Sequence, residues 1–193
     1  MKIIGFVGMP GSGKGEASDV ARSMGLIVIV MGDIIREEAA RLALELTDEN
    51  LGKVGNMLRS QEGPEAVARR ALEIAELSGE DIVVVDGIRS KAEVDFFREH
   101  AEDFHLIEVW TPPEARLNRV IARGRSDDAS CGSIALQKRD CRELGWGMHE
   151  AILQADLRLS NDGDLLVFRR SVQKLLENII SSKATYSEQQ PKS

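Results

Sequence analysis

The chain has 193 residues, 42% of them apolar and 30% charged, and a formal net charge of −7. That length suits one compact domain that buries its own core without staples. The acidic balance argues against a general nucleic-acid or membrane-surface binder. The two cysteines, Cys131 and Cys141, form neither a disulfide framework nor a zinc spacing. The longest apolar run, residues 26–31, is far too short for a bilayer, and Lys2 leads straight into a strand pattern rather than a signal peptide. A cytoplasmic protein is expected.

Lys2–Val7 reads as a short apolar strand. Gly8-Met9-Pro10-Gly11-Ser12-Gly13-Lys14 follows at once, and residues 15–23 read as a helix with Val20 and Met24 on one face. Gly, four residues, Gly-Lys between a strand and a helix is the phosphate-binding loop. Its glycines let the backbone curl until successive N–H groups point at an anion. The helix adds the positive end of its dipole, and Lys14 supplies a mobile cation for the β- and γ-phosphates. Residues 26–30 form a continuous apolar run, the pattern of a strand buried on both faces.

Residues 33–78 read as helical, with three start signals. Asp33 caps a helix from Ile34, Thr47 opens a second, and Gly63-Pro64-Glu65 opens a third with Pro64 at its first position. The last helix would place Val67, Ala71, Ile74 and Ala75 on one face. Three helices without an intervening strand read as an insertion on the main fold. Residues 81–86 are the clearest strand, β-branched and closed by Asp86. A helix over 91–99, a strand over 104–110 and a helix over 114–123 follow. Residues 124–133 are polar and contain glycine. Helical stretches at 139–144 and 150–155 flank a Gly-Trp-Gly turn. A short strand at 157–159, a turn at Asn161-Asp162-Gly163 and an amphipathic helix over 165–180 close the chain, with a tail at 183–193 expected to be disordered. Strands alternating with helices imply an α/β fold with a parallel sheet, right-handed crossovers and ligands at the carboxyl ends of the strands. The loop, Asp33, Asp86 and Thr111 all fall at that edge.

Asp86, ending an apolar strand in a chain with a phosphate loop, is placed to hold Mg²⁺ directly or through water. The alternative is an aspartate that caps the next turn. Arg89 would project from the same edge toward a second phosphate. Asp33 with Arg36 reads evenly as a cap with a solvated arginine or as part of the site. Arg116, Arg119 and Arg123 share a helix face, and Arg125, Lys138, Arg139 and Arg142 follow. Such a run is commonly a solvated face, but phosphoryl transfer also requires cations that close on the transferring group from outside the loop. His100, His105 and His149 have no metal or base spacing.

These motifs resemble a known family. Gly8–Gly15 is similar to the adenylate kinase form of the loop, and Gly32-Asp33-Ile34-Ile35-Arg36 to that family's Gly-Asp-x-x-Arg, whose arginine holds the acceptor phosphate. Asp86-Gly87-Ile88-Arg89 resembles its Asp-Gly-x-x-Arg with one residue fewer. Arg125-Ser126-Asp127-Asp128 and Arg139 resemble its Arg-x-Asp-Asp and later arginine, with Arg119 and Arg123 matching arginines that lead into the lid. Residues 155–163 are similar to the last strand and adenine-side loop of dephospho-CoA kinases. As a whole the sequence resembles an archaeal group of adenylate-kinase-like, dephospho-CoA-kinase-like P-loop proteins in the nucleoside monophosphate kinase superfamily. Gly15 lacks the hydroxyl that binds Mg²⁺ in most P-loops, and Glu16 stands where adenylate kinases carry threonine.

The resemblance implies a five-stranded parallel sheet of order 2-3-1-4-5 with helices on both faces. It implies a P-loop kinase core over residues 1–182, an acceptor-binding insertion at about 33–79 and a short lid at about 124–138. The expected activity is transfer of the γ-phosphoryl group of ATP, with Mg²⁺, to a nucleoside monophosphate or dephospho-CoA. The donor would lie on Gly8, Met9, Pro10, Gly11, Ser12, Gly13, Lys14, Gly15 and Glu16, with Asn161 and Gly163 on its adenine side. Asp33, Arg36 and Arg89 would bind the acceptor. Lys14, Asp33, Asp86, Arg119, Arg123, Arg125 and Arg139 would act in catalysis, and Asp86 with Asp33 would hold the metal through water. The alternatives are an ATPase-type switch acting on a protein or ribonucleoprotein partner, and a nucleotide sensor without turnover.

Overall fold

The structure is a computed structural model and describes residues 1–123 and 133–182, apart from the side chains of Arg123 and Ala135. The strands are β1 (Lys2–Val7), β2 (Ile27–Val30), β3 (Ile82–Ile88), β4 (Asp103–Trp110) and β5 (Leu157–Ser160). All pairings are parallel, in the order β2-β3-β1-β4-β5, as expected. The helices are α1 (Lys14–Ser23), α2 (Met31–Arg41), α3 (Asp48–Glu62), α4 (Ala66–Ser78), α5 (Lys91–His100), α6 (Pro113–Arg123), α7 (Ser133–Gly145), α8 (Met148–Leu153) and α9 (Leu165–Ser181).

The period-two alternation of strand side chains divides the core between the two faces of the sheet. Ile3, Val7, Val83 and Val85 meet the apolar stripes of α2, α3, α4, α5 and α8, through residues such as Ile35, Leu58, Ala71, Phe97 and Met148. Ile4, Phe6 and Val84 meet α1 and α9, through Ala17, Val20, Phe168, Val172 and Leu176. Each helix of the insertion therefore has a buried side even though no strand separates it from the next.

Several local expectations are corrected. β2 is an edge strand flanked only by β3, so of its residues only Ile29 is fully buried, and Ile27 is exposed. β2 runs into α2 without a loop, which starts the helix at Met31; Asp33 thus lies in the first turn and caps nothing. Pro64 lies in the turn between α3 and α4, and α4 begins at Ala66. Val67, Ala71 and Ala75 share the buried face of α4, but Ile74 is exposed at its margin. Helix α7 begins at Ser133, so the last residues of the expected lid belong to a helix. Arg125, Cys131, the remainder of that lid and the tail at 183–193 lie outside the described residues. Among the described residues no helix is long and apolar enough to cross a membrane.

Candidate active site

The phosphate loop leaves β1 at Val7 and enters α1 at Lys14. Its outer wall is held from two other connections of the sheet. The Ser12 carbonyl accepts from Asn161 Nδ2 at 2.9 Å and lies 2.8 Å from the Thr111 hydroxyl and 3.4 Å from Arg119 Nη1. Arg119 also donates to Thr111 Oγ1 at 3.0 Å and to the Asn161 carbonyl at 2.9 Å. Gly13 has φ +104°, and a Cβ there would lie 2.1 Å from Asn161 Nδ2. Glycine is thus required by both the backbone and the close approach. Arg116 is buried; it donates to the Pro10 carbonyl at 2.9 Å and forms a fork on Asp140 of α7 at 3.1 and 2.8 Å. This arginine braces the loop rather than facing a ligand.

Lys14 folds back over the loop, donating to the carbonyls of Gly8 at 2.5 Å and Met9 at 3.3 Å. Burial pulls its pKa down to about 8, against the attraction of Asp86 and Glu143, while Arg89 and Arg139 push in the same direction as burial. Asp86 reaches the site through a bulge. Phe6 pairs with Asp86 but Val7 pairs with Ile88, which leaves Gly87 unpaired at φ +95°. The bulge bends β3 at its carboxyl end, where Asp86 is nearly buried and accepts from Ser18 Oγ of α1 at 2.9 Å.

On the other side of the loop Arg36 donates to Asp33 at 2.6 Å. Arg89 follows β3, with Nε 3.5 Å from Glu143 Oε1, and Arg139 Nε lies 3.3 Å from the same oxygen. Glu143 is 3% exposed. Burial alone would push its carboxyl up, but Arg89, Arg139 and Lys14 outweigh that and hold it below the usual carboxylate range. All these groups line one cavity of about 680 Å³. Pro10, Gly11, Gly13, Lys14, Gly15 and Glu16 form its phosphate-loop end. Asp33, Arg36, Asp86, Arg89, Arg119 and Arg139 form the remainder of the expected set.

Other expected residues fall elsewhere. Gly8, Met9 and Ser12 belong to the loop but do not line the cavity. Asn161 is buried behind the loop, and Gly163 lies in the exposed turn after β5. The Arg123 side chain and Arg125 lie outside the described residues. Arg142 turns away from the phosphate loop to make a fork on Asp48 of α3, 2.8 Å on each side. Glu16 lines the cavity but also accepts from Arg169 of α9 at 2.5 Å. Ser18 and Glu143 went unnoticed in the sequence. Each stands four residues after a recognised site residue, Lys14 and Arg139, and that helical spacing was the available signal.

Residues 7–133 match a protein family described as AAA domain. A UPF0200 protein of Methanothrix thermoacetophila is 59% identical over 184 residues, covering 94% of this chain and all of the relative. The chain belongs to the UPF0200 family. Among solved structures, a gluconokinase from Sinorhizobium meliloti superimposes with a TM-score of 0.58 at 17% identity, covering 97% of this chain and 98% of that one. A dephospho-CoA kinase from Campylobacter jejuni gives 0.57 at 17% identity, covering 95% and 100%. The UPF0200 chain thus has the P-loop kinase-like fold, and at these identities the likeness is one of fold alone.

A metal was expected with ATP. The donor set in this UPF0200 site is Asp86, whose Oδ2 is engaged by Ser18, and Asp33, which is paired with Arg36. Gly15 offers no hydroxyl, and a Cβ there would meet nothing within 4 Å. Among the described residues no cluster of three or more acidic, histidine or cysteine ligands exists. Few carboxylates beside open space fit an ion that keeps most of its water and shares phosphate oxygens, the habit of Mg²⁺.

Proposed function

We propose that this protein is an ATP-dependent phosphotransferase whose acceptor is a phosphorylated or nucleotide-like molecule such as a nucleoside monophosphate or dephospho-CoA. The observation that carries this reading is the single cavity in which the phosphate loop faces Arg36, Arg89 and Arg139. A nucleotide-binding switch needs the loop alone; guanidiniums on the opposite wall provide for a second anion.

The triphosphate lies on Gly11, Ser12, Gly13, Lys14 and Gly15, with backbone N–H groups and the Lys14 ammonium around its oxygens. Arg36 and Arg89 hold the acceptor phosphate, with Asp33 fixing Arg36. The bond from the γ-phosphorus to its bridging oxygen breaks as the acceptor oxygen attacks in line, and ADP leaves. Lys14, Arg119 and Arg139 stabilise the spread negative charge, and the family resemblance adds Arg123 and Arg125 to that cation set. A phosphate acceptor needs no base; a hydroxyl acceptor gives its proton to Asp33. Asp86, with Asp33 through water, would hold Mg²⁺, which supplies charge neutralisation at the β- and γ-oxygens.

ATP consumption measured with and without nucleoside monophosphates and dephospho-CoA tests the reading. One acceptor should stimulate it. Lys14→Ala should lower turnover by roughly 10²- to 10³-fold or more, the usual loss for a transition-state charge partner. Arg36→Ala should mainly raise the KM of that acceptor. An unchanged acceptor KM would remove Arg36 from the acceptor site, and slow ATP hydrolysis indifferent to every acceptor would point to a switch instead.

A further inference from the structure

Beside the main cavity lies an annex of about 40 Å³, which shares Gly32, Arg36, Arg89, Arg139 and Glu143 with it as lining. Its far wall is α3, the end of α7 and the turn between α7 and α8, which contribute Arg59, Arg142 and Trp146. The Arg59 guanidinium lies 4.5 Å and the Arg142 guanidinium 5.6 Å from the centroid of the Trp146 ring, and Trp146 Nε1 donates to Asn56 at 2.6 Å. Two glycines of α3 make the space. A Cβ at Gly52 would lie 3.0 Å from Arg142 Nη1, and one at Gly55 would lie 3.1 Å from Arg59 Nη1.

The annex is lined by five guanidiniums, and its only lining carboxylates among the described residues are Asp48 and Glu143. Glu93 holds Arg59 from behind at 2.7 Å, and Asp48 holds Arg142. These pairings leave two donors over. Arg59 Nε and Arg142 Nε are both buried and make no hydrogen bond. A buried N–H without an acceptor is costly, the more so on a charged group. Trp146 cannot relieve it, because an aromatic face offers no strong acceptor. Five guanidiniums against two lining carboxylates are the complement of a compact anion, a carboxylate or a phosphate, which accepts from planar forks. The volume admits one such group and excludes a purine ring.

We propose that this annex is a second anion subsite, and that the acceptor carries a compact anionic group at the end remote from the phosphate loop. The proposal rests on the phosphotransferase reading for the word acceptor and on the annex geometry for the anion. A neutral group directed into the annex would face five guanidiniums with only Asp48 and Glu143 among the lining carboxylates of the described residues; a carboxylate or second phosphate there meets the surplus positive charge.

Trp146 is a built-in reporter. The full-length Trp110→Phe variant makes it the sole tryptophan. With excess Mg²⁺-ADP on the phosphate loop, inorganic phosphate and acetate are titrated separately while Trp146 emission is followed, and ADP binding is measured by equilibrium dialysis on the same sample. The expected result is a saturable change with at least one of the two anions, weakened tenfold or more by Arg142→Gln and, independently, by Arg59→Gln. Which anion binds more tightly distinguishes carboxylate from phosphate. A linear, non-saturating response to both anions, or folded variants that titrate like the parent, would overturn the proposal. Failure of ADP to bind would count against the phosphotransferase reading alone, because the anion titration reports the annex whatever the loop does.

Discussion

At the scale of single residues, Lys14 makes the sharpest forecast. Its ammonium has a pKa of about 8 in the free protein, chiefly through burial. Phosphate oxygens around the loop favour the charged form, so nucleotide binding above pH 8 takes up a proton, and affinity should fall by up to about tenfold per pH unit there. Calorimetry in two buffers of different ionisation heat should show uptake approaching one proton at pH 9 and little at pH 7; no uptake at pH 9 would contradict the assignment. The stability sign also follows. The folded pKa lies below the unfolded value of about 10.4, so the unfolded chain holds more protons between about pH 8 and 10.4 and stability rises across that window. Two glycines of the loop should behave oppositely. Gly13→Ala meets Asn161 at 2.1 Å with φ +104°, and should cost about 2 to 4 kcal/mol by strain and overlap. Gly15→Ala meets nothing within 4 Å at the start of a helix, and should be neutral or stabilising by about 0.5 kcal/mol. Urea denaturation of both variants checks the contrast. Lys14, Asp86, Arg36 and Arg89 were legible because each sits at a fixed offset from a loop or a strand end. Glu143 was not, because its neighbours Arg89 and Lys14 come from distant segments and only the fold brings them within reach.

At the scale of elements, α7 is tied to α3 and not only to the donor side. Asp48, in the first turn of α3, receives both arms of Arg142 and lies 3.8 Å from Arg139. Burial would raise its pKa, but Arg142 and Arg139 outweigh that and hold it below the usual range. Asp48→Asn should therefore lower stability by about 1 to 2 kcal/mol at neutral pH, between the values for exposed and buried pairs. The difference from the parent in urea midpoint should shrink as the pH falls below about 4, where the unfolded and then the folded carboxyl protonates. An unchanged midpoint at pH 7 would show that the α3–α7 tie carries no stability. Periodicity located most of the elements, because their apolar faces are the ones they bury. It misjudged β2, since a run of Ile and Val reads the same at the edge of a sheet as at its centre. It also started α2 too late: nothing local announces that a strand passes directly into a helix. The part of α7 before Arg139 carries a mixed polar pattern, and the fork from Arg116 of α6 to Asp140 of α7 is a contact invisible in sequence.

At the scale of the whole molecule, an acidic chain gathers a set of arginines around one cavity. The net charge is −7, yet Arg36, Arg89, Arg119 and Arg139 converge on one cavity. Strand order was legible through family resemblance rather than through spacing, because periodicity identifies strands but not their neighbours. The acceptor was not legible at all. On the proposed reading its recognition draws on side chains of α2, α3 and α7 that are far apart in sequence and meet only in the folded chain. The central claim is that one cavity passes phosphoryl groups between two bound anions. Phosphorus NMR of reactions with γ-labelled ATP tests it most directly. The account predicts that the label appears on an acceptor in a one-to-one ratio with ADP, and that Lys14→Ala slows the transfer by roughly 10²-fold or more. Label recovered only as inorganic phosphate, at a rate no acceptor changes, would contradict it.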